Sequence, residues 1–160
     1  MFEVKPLNPA DKTLFYTELA EQAAGLLHGE RNRIANAANF SALLYHSLPD
    51  VNWVGFYFVE DDELVVGPFQ GKPACVRIAM GKGVCGTAAV EKKTQRVEDV
   101  DAFPGHIPCD GDSRSEIVVP LIVDNEVVGV LDIDAPVKAR FDADDQRGVE
   151  KLAAIFLQTL

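Results

Sequence analysis

Six side chains of this sequence combine thiol and carboxyl chemistry at positions outside the main helical segments. They are Cys75, Cys85, Cys109, Glu116, Asp132 and Asp134. A thiolate can attack another sulfur, become oxidised and later be restored by a second thiol. A carboxylate can bind an ammonium group, and a carboxylic acid can donate a proton. The combination indicates a thiol reductase that acts on a small polar substrate.

Cys109 lies in the segment Val100–Arg114, which contains prolines and glycines and has almost no periodicity. A loop of this length is more often functional than structural, yet an ordinary loop thiol fits the pattern equally well. The neighbouring His106 would favour the thiolate and Asp110 would disfavour it. Cys75 also lies in a predicted loop, so a transient disulfide between the two cysteines is sterically feasible if the loops meet.

Cys85 stands at the start of a short helix predicted over Gly86–Lys92. A cysteine in such apolar surroundings usually serves as a small buried side chain. The N-terminus of a helix would also lower the pKa of its thiol, so Cys85 remains a rival nucleophile.

Asp132 and Asp134 are two residues apart on a predicted strand and therefore share a face, which Val128 and Val130 are expected to extend. Carboxylates on an otherwise apolar stripe are costly unless they are paired or used. The alternative is that the strand frays into solvent at Asp134. Glu116 opens the neighbouring strand and can approach both acids, and such clustering raises the pKa of at least one member.

Trp53 and Tyr57 share one face of the strand predicted over Val51–Glu60. Core packing is the usual role of such an aromatic pair. If they line a pocket instead, they would hold an apolar group such as a thiomethyl.

No metal site is predicted, because none of His28, His46 and His106 has ligand spacing with a pair of cysteines. The glycines between Gly81 and Gly86 match neither a P-loop nor a dinucleotide-binding fingerprint.

Periodicity and turn residues predict an α+β fold in which helices cover both faces of an antiparallel sheet. The predicted helices are Lys12–Leu27, Glu30–Leu48, Gly86–Lys92 and Asp142–Leu160. The predicted strands are Val51–Glu60, Glu63–Gly67, Arg96–Glu98, Glu116–Val123 and Glu126–Ala135, with a bulge or an edge at Pro120.

Length and charge set the remaining bounds. The 160 residues predict one domain over residues 1–160, and a net charge of −10 argues against nucleic acid and anionic membranes as partners. No apolar run approaches a membrane span, and the N-terminus does not read as a signal peptide. We therefore expect a cytoplasmic protein, in which an odd number of cysteines is ordinary because cytosolic thiols are kept reduced.

Several segments together closely resemble the free methionine-R-sulfoxide reductases, which are single GAF-domain enzymes. They are NWVGFY at residues 52–57, GPFQG at 67–71, AC at 74–75, GVCG at 83–86, HIPCD at 106–110, SRSEIVVP at 113–120 and GVLDID at 129–134. The resemblance spans nearly the whole chain. It implies the GAF fold, an antiparallel six-stranded sheet flanked by helices.

The resemblance also implies reduction of free L-methionine-(R)-sulfoxide, with Cys109 as the nucleophile that becomes a sulfenic acid. Cys75 would then be the resolving cysteine, and Cys85 the third cysteine of the family with a less settled role that includes resolving in some members. Thioredoxin and the NADPH system would supply electrons without a bound cofactor. A homodimer is also expected.

The remaining implied roles belong to substrate binding. Glu116, Asp132 and Asp134 would bind the ammonium group and help protonate the sulfoxide oxygen. Trp53 and Tyr57 would surround the methyl group. Two other functions stay open: a regulatory GAF domain that binds a ligand without chemistry, and a redox sensor whose Cys75–Cys109 disulfide alters a partner surface.

Overall fold

The computed structural model describes residues 1–160 and contains four α-helices and six strands. The helices are α1 (Lys12–Leu27), α2 (Arg33–Ser47), α3 (Gly83–Glu91) and α4 (Ala143–Leu157). The strands are β1 (Trp53–Glu60), β2 (Glu63–Gln70), β3 (Arg77–Ala79), β4 (Gln95–Val97), β5 (Ser115–Val123) and β6 (Glu126–Ala135). None of the helices combines the length and the apolar character needed to cross a membrane.

The six strands form one antiparallel sheet in the order β3-β2-β1-β6-β5-β4. Two tight hairpins join β1 to β2 and β5 to β6. Their turn residues, Asp61-Asp62 and Asp124-Asn125, all have positive φ angles between 50° and 64°. Two consecutive left-handed residues match the twist of the flanking strands, and Asp and Asn tolerate that conformation better than other non-glycine residues. The predicted α+β class and both hairpins are confirmed.

The sheet separates two apolar cores because side chains alternate along each strand. Val54, Phe56 and Phe58 of β1 enter the larger core, which α1, α2 and α4 cover. Trp53 and Tyr57 enter the smaller core, beneath α3 and the loops around it. The smaller core is covered by less regular structure, which leaves room for a cavity on that face.

Some predicted element ends were wrong. Helix α2 begins at Arg33 because the side chain of Asn32 accepts a hydrogen bond from the backbone N–H of Ala35 and caps the helix. Helix α3 begins at Gly83, three residues earlier than predicted. Strand β2 continues to Gln70, which pairs with Val54 of β1.

A bulge also changes the expected face of Val128. The register between β5 and β6 shifts between Leu121 and Ile122, where Val127 rather than Val128 is the partner of Ile122. Val128 therefore packs against the larger core, while Val127 packs against the smaller one. Pro120 precedes this bulge and lies beyond the last β5 residue that β4 pairs, so its missing N–H breaks no hydrogen bond to that strand.

Candidate active site

Strand register brings the three predicted acids together. Glu116 of β5 lies directly opposite Asp134 of β6, and Asp132 is the next β6 residue on the same face. Side chains directly opposite each other in an antiparallel pair have Cβ atoms roughly 5 Å apart. The strand does not fray at Asp134, because β6 continues to Ala135 and stays paired with β5.

The acids line a cavity between the sheet, α3 and the loop that carries Cys109. Its empty volume, which includes space open to solvent, is about 500 Å³. Seven of the eight predicted site residues line it: Trp53, Tyr57, Cys85, Cys109, Glu116, Asp132 and Asp134. The eighth, Cys75, does not line the cavity but is bonded to Cys109.

Cys75 and Cys109 form a disulfide, with their Cα atoms 5.4 Å apart across a sequence separation of 34 residues. Both cysteines are half-buried. The hydroxyl group of Tyr57 donates a hydrogen bond to the carbonyl oxygen of Cys75 at 3.2 Å, which ties the Cys75 loop to β1. The predicted meeting of the two loops is confirmed, and the structure shows the oxidised state of this pair.

Cys85 is the third residue of α3 and only 4% exposed. Its Sγ lies 3.4 Å from Oδ2 of Asp132 and 3.9 Å from Oε1 of Glu116. Burial raises the pKa of its thiol well above the ordinary value, and the negative charges of Asp132 and Glu116 add to the effect. The lowering expected from the helix N-terminus is outweighed, so Cys85 is a neutral thiol that donates to the carboxylates.

The three acids of the cluster hold their protons more tightly than free carboxyl groups do. Burial raises the pKa of Asp132 to about 6. Burial, followed by the charges of Asp132 and Asp134, raises the pKa of Glu116 well above its usual range. Burial and the charge of Asp132 raise the pKa of Asp134 in the same direction. The cluster therefore keeps at least one proton near neutral pH.

No lysine or arginine forms an ion pair with this cluster, although Lys82 also lines the cavity. Glu116 and Asp132 are each only 6% exposed, and neither side chain forms an ion pair with a lysine or arginine. His106 places Nε2 at 4.0 Å from Oε2 of Glu116, but burial lowers the pKa of its imidazole and favours the neutral form. Oδ1 of Asp132 is buried without a hydrogen-bond partner. A buried acceptor of this kind is costly unless a ligand reaches it.

Trp53 and Tyr57 are each 2% exposed, and their rings stack with centroids 5.9 Å apart. Phe69 also stacks against Trp53, with ring centroids 5.1 Å apart. The indole N–H of Trp53 donates to the carbonyl oxygen of Lys72 at 3.1 Å, so the ring is fixed. The two alternatives of core packing and pocket lining both hold, because the rings belong to the smaller core and face the cavity.

One polar contact was missed in the sequence. The side-chain amide of Asn52 donates to Oδ2 of Asp110 and to Oγ of Ser113, each at 3.1 Å. The Ser113 side chain also partly offsets the rise in the pKa of Asp134. The residues are far apart in sequence, and the only signal was that each of these four lies in a segment carrying the family resemblance.

Cys85, Glu116 and Asp132 bring one donor atom each to within 4.8 Å of one another, which is close enough to hold a metal ion. The sequence predicts no metal, and that stays a prediction. Sulfoxide turnover that survives extensive treatment with a chelator would support it.

Known proteins resemble this chain in both sequence and fold. The sequence matches the GAF domain family over residues 43–160. A free methionine-R-sulfoxide reductase of Escherichia coli is 55% identical over 144 residues, covering 90% of this chain and 87% of that protein. Another, of Saccharomyces cerevisiae, is 49% identical over 139 residues, covering 82% of this chain and 77% of that protein.

A solved structure agrees with these relatives. The free methionine-R-sulfoxide reductase of Neisseria meningitidis, determined in complex with its substrate, superposes with a TM-score of 0.95 at 42% identity. The superposition covers 99% of this chain and 95% of that one. Since the match extends over nearly all of both chains, this protein belongs to the GAF-domain family of free methionine-R-sulfoxide reductases.

Proposed function

We propose that this protein reduces free L-methionine-(R)-sulfoxide to L-methionine. The observation that carries the proposal is one cavity lined by Cys109, by a buried acid cluster without a counterion and by two fixed aromatic rings. Each feature matches one part of that substrate: its sulfur, its ammonium group and its methyl group.

The acid cluster selects a free amino acid. An ammonium group entering the cavity would give Asp132 Oδ1 its missing partner and offset the buried negative charge. A methionine sulfoxide within a peptide has no free ammonium group and would leave that charge uncompensated. The faces of Trp53 and Tyr57 would contact the methyl group at the other end of the substrate.

The first chemical step needs both the thiol of Cys109 and a protonated acid of the cluster. Cys109 attacks the sulfoxide sulfur and forms an S–S bond to it, while a carboxylic acid of the cluster donates a proton to the sulfoxide oxygen. The oxygen then passes to the Cys109 sulfur as this S–S bond breaks, and the thiol proton of Cys109 replaces the proton that the acid gave. The net change transfers the oxygen to Cys109: methionine leaves reduced by two electrons, and the Cys109 sulfur is oxidised to a sulfenic acid. Glu116, Asp132 and Asp134 all have raised pKa values and are therefore candidates for the donor.

The second step closes a disulfide. The sulfur of Cys75 attacks the Cys109 sulfenic acid, an S–S bond forms, the S–O bond breaks, and the oxygen leaves as water with the proton of Cys75. The Cys75–Cys109 disulfide of the structure matches the product of this step. We infer that thioredoxin, kept reduced by NADPH, restores both thiols by exchange, so the protein needs no cofactor of its own.

The test is NADPH consumption in the presence of thioredoxin and thioredoxin reductase. We expect turnover of free methionine R-sulfoxide, and none of the free S epimer or of a peptide-bound sulfoxide. Cys109→Ser should abolish turnover while circular dichroism shows an intact fold. A folded, reduced wild-type protein that turns over none of the three would contradict the proposal, and disulfide formation with peroxide alone would then favour the redox sensor.

A further inference from the structure

The side chain of Asn52 connects the end of the sheet to the loop that carries Cys109. Its backbone is fixed just before β1, where its N–H donates to the carbonyl oxygen of Asp134 at 3.0 Å. Its amide N–H groups reach Oδ2 of Asp110 and Oγ of Ser113. The orientation of the amide follows from its partners, because a rotated amide would place its oxygen against the Asp110 carboxylate.

The loop tip, residues 106–112, has few other polar attachments. Side-chain hydrogen bonds join it to distant parts of the chain at two places, Asn52–Asp110 and Lys72–Asp112. The Lys72–Asp112 pair is exposed, at 65% and 61%, and such pairs contribute little because solvent and salt screen them. Once the disulfide is reduced, Asn52 is therefore the main polar restraint on the tip.

Asp110 is the residue next to Cys109, so its placement also places the Cys109 sulfur. The other oxygen of its carboxylate accepts the backbone N–H of Asp112 at 2.9 Å, which shapes the turn after Cys109. One carboxylate thus joins the local turn to the sheet through Asn52.

We propose that Asn52 is a positioning residue that holds the Cys109 loop within reach of Cys75 during disulfide formation. The proposal rests on the proposed function, since it concerns the second step of that reaction. Attack by Cys75 on the sulfenic acid requires the two backbones to come as close as the 5.4 Å between their Cα atoms in the disulfide. A loop that is free to swing away lowers the local concentration of one sulfur around the other.

The experiment separates the two chemical steps in a single turnover. Reduced protein is mixed with one equivalent of free methionine R-sulfoxide and dimedone, without thioredoxin, and quenched at intervals. Methionine formed reports the first step, loss of two thiols reports the second, and a dimedone adduct on Cys109 reports sulfenic acid that has not yet reacted.

In Asn52→Ala we expect methionine formation to change less than about threefold and disulfide closure to slow about tenfold, in line with loss of a hydrogen bond to a charged group. The dimedone adduct should accumulate on Cys109. Asp110→Ala removes the same contact from the other side. The double variant should form the disulfide no more slowly than either single variant, because the effects of substitutions at two residues that contact each other do not add.

Asn36→Ala is the matched control, since Asn36 also donates a hydrogen bond through its side-chain amide, to the carbonyl oxygen of Glu30, but lies on α2, away from the cavity. It should close at the wild-type rate. Closure at the wild-type rate in both Asn52→Ala and Asp110→Ala, or an equal slowing of both steps, would overturn the proposal. Failure of the wild-type protein to form methionine would instead overturn the proposed function.

Discussion

At the scale of single residues, the buried acids combine function with a cost in stability. Asp132 and Glu116 are buried without a paired lysine or arginine, and the rise in their pKa values reflects how unfavourable their charged forms are there. Because the same protons are available to a departing sulfoxide oxygen, the unfavourable burial and the proposed proton donation have one physical origin.

This cost predicts that Asp132→Asn stabilises the protein at alkaline pH. The folded-state pKa of Asp132 is about 6, above its ordinary value of 3.8, so the folded protein holds this proton more tightly than the unfolded chain. Stability therefore falls as pH rises from about 4 to about 6, and the penalty is fully present above that range. At pH 8 we expect the variant to be more stable by roughly 1–3 kcal/mol, and at pH 4 the difference should nearly vanish.

Urea unfolding of the oxidised protein at the two pH values would measure this difference. Asp101→Asn changes an exposed aspartate and should show no comparable gain at pH 8. A variant that is less stable than wild type at pH 8 would show that Asp132 forms a stabilising charge interaction instead. Sulfoxide turnover by Asp132→Asn should fall sharply, because the ammonium group loses a charged partner.

Cys85 gives a second prediction at this scale. Its thiol is buried and its pKa is raised, so iodoacetamide at pH 8 should leave the folded oxidised protein unlabelled. The other two cysteines are in the disulfide, and unfolding in denaturant without reductant should therefore add a single label. Mass spectrometry counts the labels. Rapid labelling of the folded form would restore Cys85 as a rival nucleophile.

At the scale of elements, the contact of α1 with α4 depends on a glycine. A Cβ atom on Gly148 of α4 would lie 2.2 Å from Cγ of Tyr16 on α1. The same tyrosine donates a hydrogen bond to Oδ1 of the buried Asp145 at 2.8 Å, so its ring cannot easily move aside. This close approach lets the two helices cover the larger core side by side.

We therefore expect Gly148→Ala to destabilise the protein by roughly 1–3 kcal/mol, the usual cost of overpacking. Gly25→Ala is the matched control, because Gly25 is also inside a helix but a Cβ there would meet only Phe2, at an ordinary 3.8 Å. It should stabilise α1 by about 0.5–1 kcal/mol through helix propensity. Thermal or denaturant unfolding of both variants measures these effects, and equal effects would show that the Tyr16 contact is not responsible.

At the scale of the whole molecule, one disulfide links two loops that the sheet does not join directly, and this link exists only in the oxidised protein. The Cys75–Cys109 disulfide closes a segment with a sequence separation of 34 residues. A cross-link over a loop of this size removes entropy from the unfolded chain and typically stabilises a protein by about 2–4 kcal/mol.

The oxidised protein should therefore unfold at a higher denaturant concentration than the reduced protein. Its free energy of unfolding should be larger by an amount in that range. Cys75→Ser cannot form the bond, so its stability should not depend on reductant. An oxidised form no more stable than the reduced form would mean that the disulfide strains the loops or that the reduced chain already restrains them.

Local patterns predicted much of the architecture because they act over a few residues. Helical spacing gave α1 with its observed bounds, and alternation on β1 correctly divided its side chains between two faces. The Asp-Asp and Asp-Asn turns indicated both hairpins. The prediction for Val128 was wrong because a bulge depends on how two strands align, and one strand alone carries no record of its partner.

The sequence by itself determined most of the secondary-structure order and the sheet face shared by Asp132 and Asp134, and through the family resemblance it predicted the site residues. The tertiary structure confirmed that Cys75 meets Cys109, and it alone decided that Cys85 is a neutral buried thiol and that Asn52 reaches Asp110. The physical reason is that side-chain types and periodicity follow from the local chain, whereas burial, pKa and contacts between loops depend on which distant segments the sheet register brings together.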